Sequence, residues 1–137
     1  MRADAERRLL QGAVVLASLV PLSMGLMSVI EGASVIRGVG APTTDLDSHF
    51  RYLSGLLLGI GLAYLAALPR IERSTTLFRL LGGIILVGGL ARLLSLAEDG
   101  APSEGHVFGL AMELGVVPAI TLWQSRIARR FSGPGKK

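Results

Sequence analysis

Three charged residues, Arg51, Arg92 and Glu113, sit inside stretches that are otherwise almost wholly apolar. A guanidinium or a carboxylate in such surroundings is expensive to bury, so it pairs, holds a polar ligand, passes a proton or helps ligate a metal. Glu31, His49, Tyr52 and His106 lie close to the ends of the same stretches and complete the candidate polar cluster. The leading reading makes these charges registry pins that orient helices. A second is a small polar pocket, open to the outer face, for a lipid headgroup, a quinone-like molecule or another amphiphile. A third is a proton or ion relay through Glu113, for which the inner halves of the helices supply few ionisable residues. A fourth is a metal site from His49, His106 and an acid, whose spacing is not that of a ligand set. The expectation is no metal and no cofactor.

Signatures of catalysis are missing from the sequence. It has no HExxH, no GxSxG, no phosphate loop ending in Gly-Lys-Ser/Thr and no cysteine to act as nucleophile. Gly55-Leu-Leu-Leu-Gly59-Ile-Gly61 falls inside an apolar helix with no strand before it, so it is not a dinucleotide fingerprint. Asp45-Leu46-Asp47 begins like a calcium loop but lacks the spacing and the closing glutamate. The function expected is therefore non-enzymatic and structural or accessory. An amphiphile-binding module is the alternative, and a membrane enzyme using Arg92 and Glu113 a further one.

The elements that must position these residues are four apolar runs, over about residues 9–30, 50–68, 77–96 and 106–123. Each is close to the length that crosses a hydrocarbon core as a helix, and none shows the recurring polar face of a soluble helix. Half of the residues are hydrophobic and the mean hydropathy is +0.55, which fits one integral membrane domain over 1–137. The expected fold is all-α, a four-helix transmembrane bundle. A cleaved signal peptide is the competing reading of the first run, which is longer than the usual apolar core of such a signal.

The net charge of +4 would point a soluble protein toward nucleic acid, but its distribution explains it better. Arg2, Arg7 and Arg8 precede the first run, Arg70, Arg73 and Arg79 flank the middle turn, and Arg126, Arg129, Arg130, Lys136 and Lys137 follow the last. Arg37 alone lies on the other side, among Asp45, Asp47, Glu98, Asp99 and Glu104. The bias of Arg and Lys toward the cytoplasm then places both termini there, with 31–48 an outer loop and 124–137 a basic cytoplasmic tail. Nucleic acid is excluded as a partner, and the lipid bilayer is the primary one.

In that topology Arg92 lies roughly 6–9 Å below the outer boundary and Glu113, two turns after His106, roughly 10 Å below it. The prediction is that Arg92 pairs with Glu113, and that Arg51 pairs with Glu31 or Glu113 or snorkels to the surface. His106, Gly109 and Glu113 extend a polar stripe along the fourth helix, with His49 and Tyr52 at the rim. That helix, holding Glu113 and Pro118, is marginal alone and depends on packing against the others. Packing is expected at Gly55, Gly59 and Ala63, in one row with Arg51, and at Gly82 and Gly89, the latter aligned with Arg92. The same small-residue faces would serve a homo-oligomer or a larger membrane complex.

At SHFRYLSG, PRIER, GGLARLLS and AMEL the chain resembles a bacterial family of small four-helix membrane proteins known only as a domain of unknown function. The likeness runs from the first helix through the fourth, and Arg51, Arg92 and Glu113 fall at that family's polar positions. More distantly the layout is similar to that of the DoxX-like membrane proteins. The resemblance implies a bacterial inner membrane, multi-pass, and a four-helix bundle, and it brings no catalytic residues.

Overall fold

In a hydrocarbon environment each backbone N–H and C=O needs a partner within its own segment, and leucine-rich runs of this length meet that requirement as helices. A computed structural model describes residues 3–36, 38 and 40–133, so the expectations that rest on Arg2, Arg37, Lys136 and Lys137 lie outside the described residues. The described fold is all-α. Its long helices are α1 (Ala3–Glu31), α2 (Thr44–Ala67), α3 (Thr75–Asp99) and α4 (Glu104–Phe131), each long and apolar enough to cross a membrane. α1, α3 and α4 run past both ends of the apolar stretches that define them in the sequence, and α2 begins before its own, because the flanking polar and charged residues continue the helix.

The ends follow from local chemistry. α1 stops where Gly32 takes a left-handed φ of +67° and opens a 3-10 turn, Gly32–Val35. Thr43 caps α2, its Oγ1 accepting the Leu46 N–H at 3.2 Å. Pro69 interrupts the helical ladder after α2, and the chain turns through a 3-10 segment, Leu68–Arg73, kinked at Arg70. Ser74 stands at the start of α3 without capping it, its hydroxyl donating back to the Arg70 carbonyl at 2.9 Å. Gly100, at φ +88°, ends α3.

α4 is interrupted by one π turn, Met112–Val116, in which the Val117 N–H reaches back five residues to the Met112 carbonyl. Pro118 lies just beyond it. A proline lacks the N–H that would bond four residues back and its ring crowds that carbonyl, so the backbone widens on the preceding turn. Glu113 sits in this widened turn.

The chain divides into two compact units, one of residues up to Ala13 together with Pro69 onward, the other Val14–Leu68. In the first, Leu10, Ile71, Phe78 and Ile127 are fully buried. α3 and α4 approach closely at two glycines: a Cβ on Gly82 would stand 2.7 Å from Thr121 Oγ1, and one on Gly89 would stand 2.8 Å from Leu114 Cδ2 and 2.9 Å from Glu113 Cβ. In the second unit the approach of α1 and α2 is made at Gly25, whose Cβ would meet the Leu58 backbone nitrogen at 2.9 Å, and at Gly61, against Leu22 and Pro21. Gly55 and Gly59, expected at a seam, have nothing within 4 Å of an added Cβ, and Ala63 is half-buried. Leucines lie outward on every helix, Leu16, Leu62, Leu80 and Leu122 among them, as a lipid-facing surface requires, while Leu10 and Leu81 are buried.

Candidate functional site

The pair that joins α3 to α4 is built from three local features. Gly89 lets the helices close in one turn before Arg92, Glu113 stands in the π turn, and Gly109 lies against the guanidinium, where an added Cβ would be in ordinary contact, 3.8 Å from Arg92 Cζ. Arg92 Nε donates to Glu113 Oε2 and its second terminal nitrogen donates to Oε1, both at 3.1 Å. This is the two-pronged arrangement in which a planar guanidinium matches a carboxylate, fixing rotation as well as distance. The Arg92 side chain is 33% exposed and that of Glu113 21%. Nη1 of Arg92, which does not enter the fork, lies beside Gly109, 3.9 Å from where a Cβ on that residue would stand.

Arg51 does something else. Its Nε donates to Asp47 Oδ2 at 2.7 Å, and Nη1 donates to the carbonyls of Val29 at 2.5 Å and Ile30 at 2.9 Å. The other oxygen of Asp47 accepts the Ala33 N–H at 2.8 Å. The last carbonyls of a helix have no partner within it, and here a cation from the next helix satisfies them while Asp47 holds that cation in place. The expected pairing with Glu31 is therefore corrected: Glu31 is exposed, and the partner is the acid one turn before Arg51. A side chain at Gly32 would overlap both the Asp47 carboxylate and the Arg51 guanidinium. Both the lack of space and the positive φ there require glycine.

The remaining candidates are peripheral. His49 and Tyr52 are exposed on α2, and His106 is exposed at the start of α4, where its Nδ1 is 2.9 Å from Ser103 Oγ. Among the described residues no group of three or more His, Cys, Asp or Glu side chains is placed to hold a metal ion.

A second polar assembly, at the arginine-rich end of the same unit as Arg92, has no counterpart in the sequence reading. Glu6 is buried, and both Arg126, at 3.8 Å, and Arg130 pair with it. Arg7 pairs with Glu72 at 3.0 Å and donates to the Pro69 carbonyl at 3.1 Å. Gln124, fully buried, donates from Nε2 to the Ile71 carbonyl at 2.7 Å and to Thr75 Oγ1 at 3.1 Å. These bonds tie the first turns of α1, the 3-10 turn before α3 and the last turns of α4 into one brace. The signal available was the four-residue spacing of Arg126 and Arg130, which puts both on one face of α4.

The family model described as Domain of unknown function (DUF4345) matches residues 9–124, most of the chain. The chain belongs to the DUF4345 family. No curated protein and no solved structure matches it. The DUF4345 match takes in all of Arg51, Arg92, Glu113 and Gln124 and stops short of Arg126 and Arg130. The protein is thus a small, helical, multi-pass membrane member of DUF4345.

Proposed function

We propose that this is a non-enzymatic structural or accessory protein of a bacterial inner membrane, a four-helix bundle with both termini cytoplasmic. In this reading the intramembrane charges set helix registry. The observation that carries it is the Arg92–Glu113 fork: two nitrogens of the guanidinium engage both carboxylate oxygens, across a helix contact that Gly89 makes tight. Arg51, turned to the end of α1, serves the same purpose in its own unit. The open faces at Gly55 and Gly59 would serve a second copy or a partner subunit, and a distant kinship to DoxX-like proteins fits the same layout.

One observation favours a second reading, a site for a lipid or quinone-like amphiphile. The fork is partly exposed, and Nη1 of Arg92 beside Gly109 is a donor that a carbonyl or phosphate oxygen could take. Native mass spectrometry of the protein, gently extracted, separates the two. The structural reading expects only ordinary bilayer lipids or whole subunits, alike in wild type and Arg92→Ala. A stoichiometric small amphiphile that disappears in Arg92→Ala would overturn it, and turnover of that molecule lost in Glu113→Gln would make the site enzymatic.

A further inference from the structure

The arginine-rich end of the first unit carries eight arginines, Arg7, Arg8, Arg70, Arg73, Arg79, Arg126, Arg129 and Arg130, against three carboxylates, Asp4, Glu6 and Glu72. Two of the acids are turned inward. Glu6 is buried beneath Arg126 and Arg130, and Glu72 is held by Arg7. Among the described residues Arg8, Arg70, Arg73 and Arg79 have no carboxylate within ion-pair distance, and all four are exposed. Arg129 donates to the Ser125 carbonyl of its own helix and is also exposed. The acids therefore stiffen the scaffold from inside while an excess of positive charge faces outward.

Position decides what that charge meets. The apolar runs begin or end beside these arginines, at Leu9, Leu77 and Trp123, so the guanidinium groups stand where hydrocarbon gives way to headgroups. The brace of Gln124 on Ile71 and Thr75, with Arg7 on Pro69, fixes the 3-10 turn that presents Arg70 and Arg73. A fixed cationic rim at headgroup level is complementary to a phosphate that carries net negative charge and two acyl chains.

We propose that this rim binds anionic phospholipid headgroups of the adjoining leaflet, with Arg70 and Arg73 as its main contacts and Arg8, Arg79 and Arg129 around them. The binding is independent of the Arg92–Glu113 fork. It is selective for a net negative headgroup over a zwitterionic one, and it weakens with salt because the charges are exposed.

The test uses the full-length protein in a neutral detergent, titrated with dioleoyl phosphatidylglycerol or dioleoyl phosphatidylcholine, with bound lipid counted by native mass spectrometry. Phosphatidylglycerol is retained in preference, and millimolar inorganic phosphate does not displace it. Each arginine near a membrane surface is worth about fivefold, so Arg70→Gln/Arg73→Gln together lower the affinity for phosphatidylglycerol about 25-fold. Circular dichroism of that variant matches wild type, since neither side chain takes part in the brace. A second variant, Arg8→Gln/Arg79→Gln, gives a loss in the same direction. Equal retention of the two lipids, displacement by inorganic phosphate, or wild-type affinity in both double variants would each overturn the proposal.

Discussion

Replacing single glycines of α3 by alanine reads out whether this helix packs where the structure says. Gly88 and Gly89 are neighbours in sequence and differ in surroundings: a Cβ at Gly88 meets nothing within 4 Å, whereas one at Gly89 stands 2.9 Å from Glu113 Cβ and 2.8 Å from Leu114 Cδ2. Carbon atoms rest comfortably at about 3.5–4.0 Å, so α4 must retreat by roughly 0.6–1 Å at Gly89. The Leu114 tip can rotate away, but Glu113 Cβ is fixed by the backbone of the π turn and by the fork to Arg92. Overpacking of this kind costs about 1–3 kcal/mol. At Gly88 the same change only removes backbone freedom from the unfolded chain and gains about 0.5–1 kcal/mol. Because the backbone gain is common to both substitutions, Gly89→Ala should lie about 1–3 kcal/mol below Gly88→Ala in a reversible SDS titration from mixed micelles. Gly83→Ala, also open, should follow Gly88→Ala, and Gly82→Ala should fall between, because the atom it meets is the Thr121 hydroxyl. Equal stabilities for the Gly88 and Gly89 variants would refute the close approach of α3 to α4 at that point.

Two further outcomes follow from the other polar assemblies. Gly32→Ala forces a left-handed φ on a residue with a Cβ, costing about 1–2 kcal/mol from the backbone alone, and it pushes the Asp47 carboxylate off the Ala33 amide. Hydrogen exchange at Ala33 should then quicken, and unchanged exchange would show that the clamp does not depend on Gly32. Glu6→Gln leaves Arg126 and Arg130 without a charged partner. Because both arginines are well exposed, the loss should be only about 1 kcal/mol and should shrink with added salt. A salt-independent loss would mean that Glu6 acts through packing instead.

The four helices were legible because twenty-residue apolar runs admit one backbone solution in lipid, and the Arg92–Glu113 contact followed from counting residues from a shared boundary. Local competition was harder to read. Arg51 had an acid one turn away on its own helix, and that nearby Asp47 took it in place of the expected Glu31. Small residues alone did not say which faces meet: Gly55 and Gly59 form a good stripe in sequence, yet α1 closes on α2 at Gly25 and Gly61, where Leu58, Leu22 and Pro21 are the shapes to be matched. The π turn was hidden because a proline in a helix can be absorbed by a kink, a break or a widened turn, and the choice rests on what Glu113 gains by turning toward Arg92. The brace around Glu6 and Gln124 joins residues 49 to 124 positions apart, beyond what periodicity reports.

A double-mutant cycle on Arg92→Leu and Glu113→Leu, measured by the same SDS titration, tests most directly whether the fork pins α3 to α4. Each single variant strands one charge in an apolar setting, while the double variant removes both and leaves two shorter apolar side chains. The account predicts a coupling energy of about 2–3 kcal/mol, with the double variant close to wild type. Additive losses, with coupling below about 0.5 kcal/mol, would contradict it.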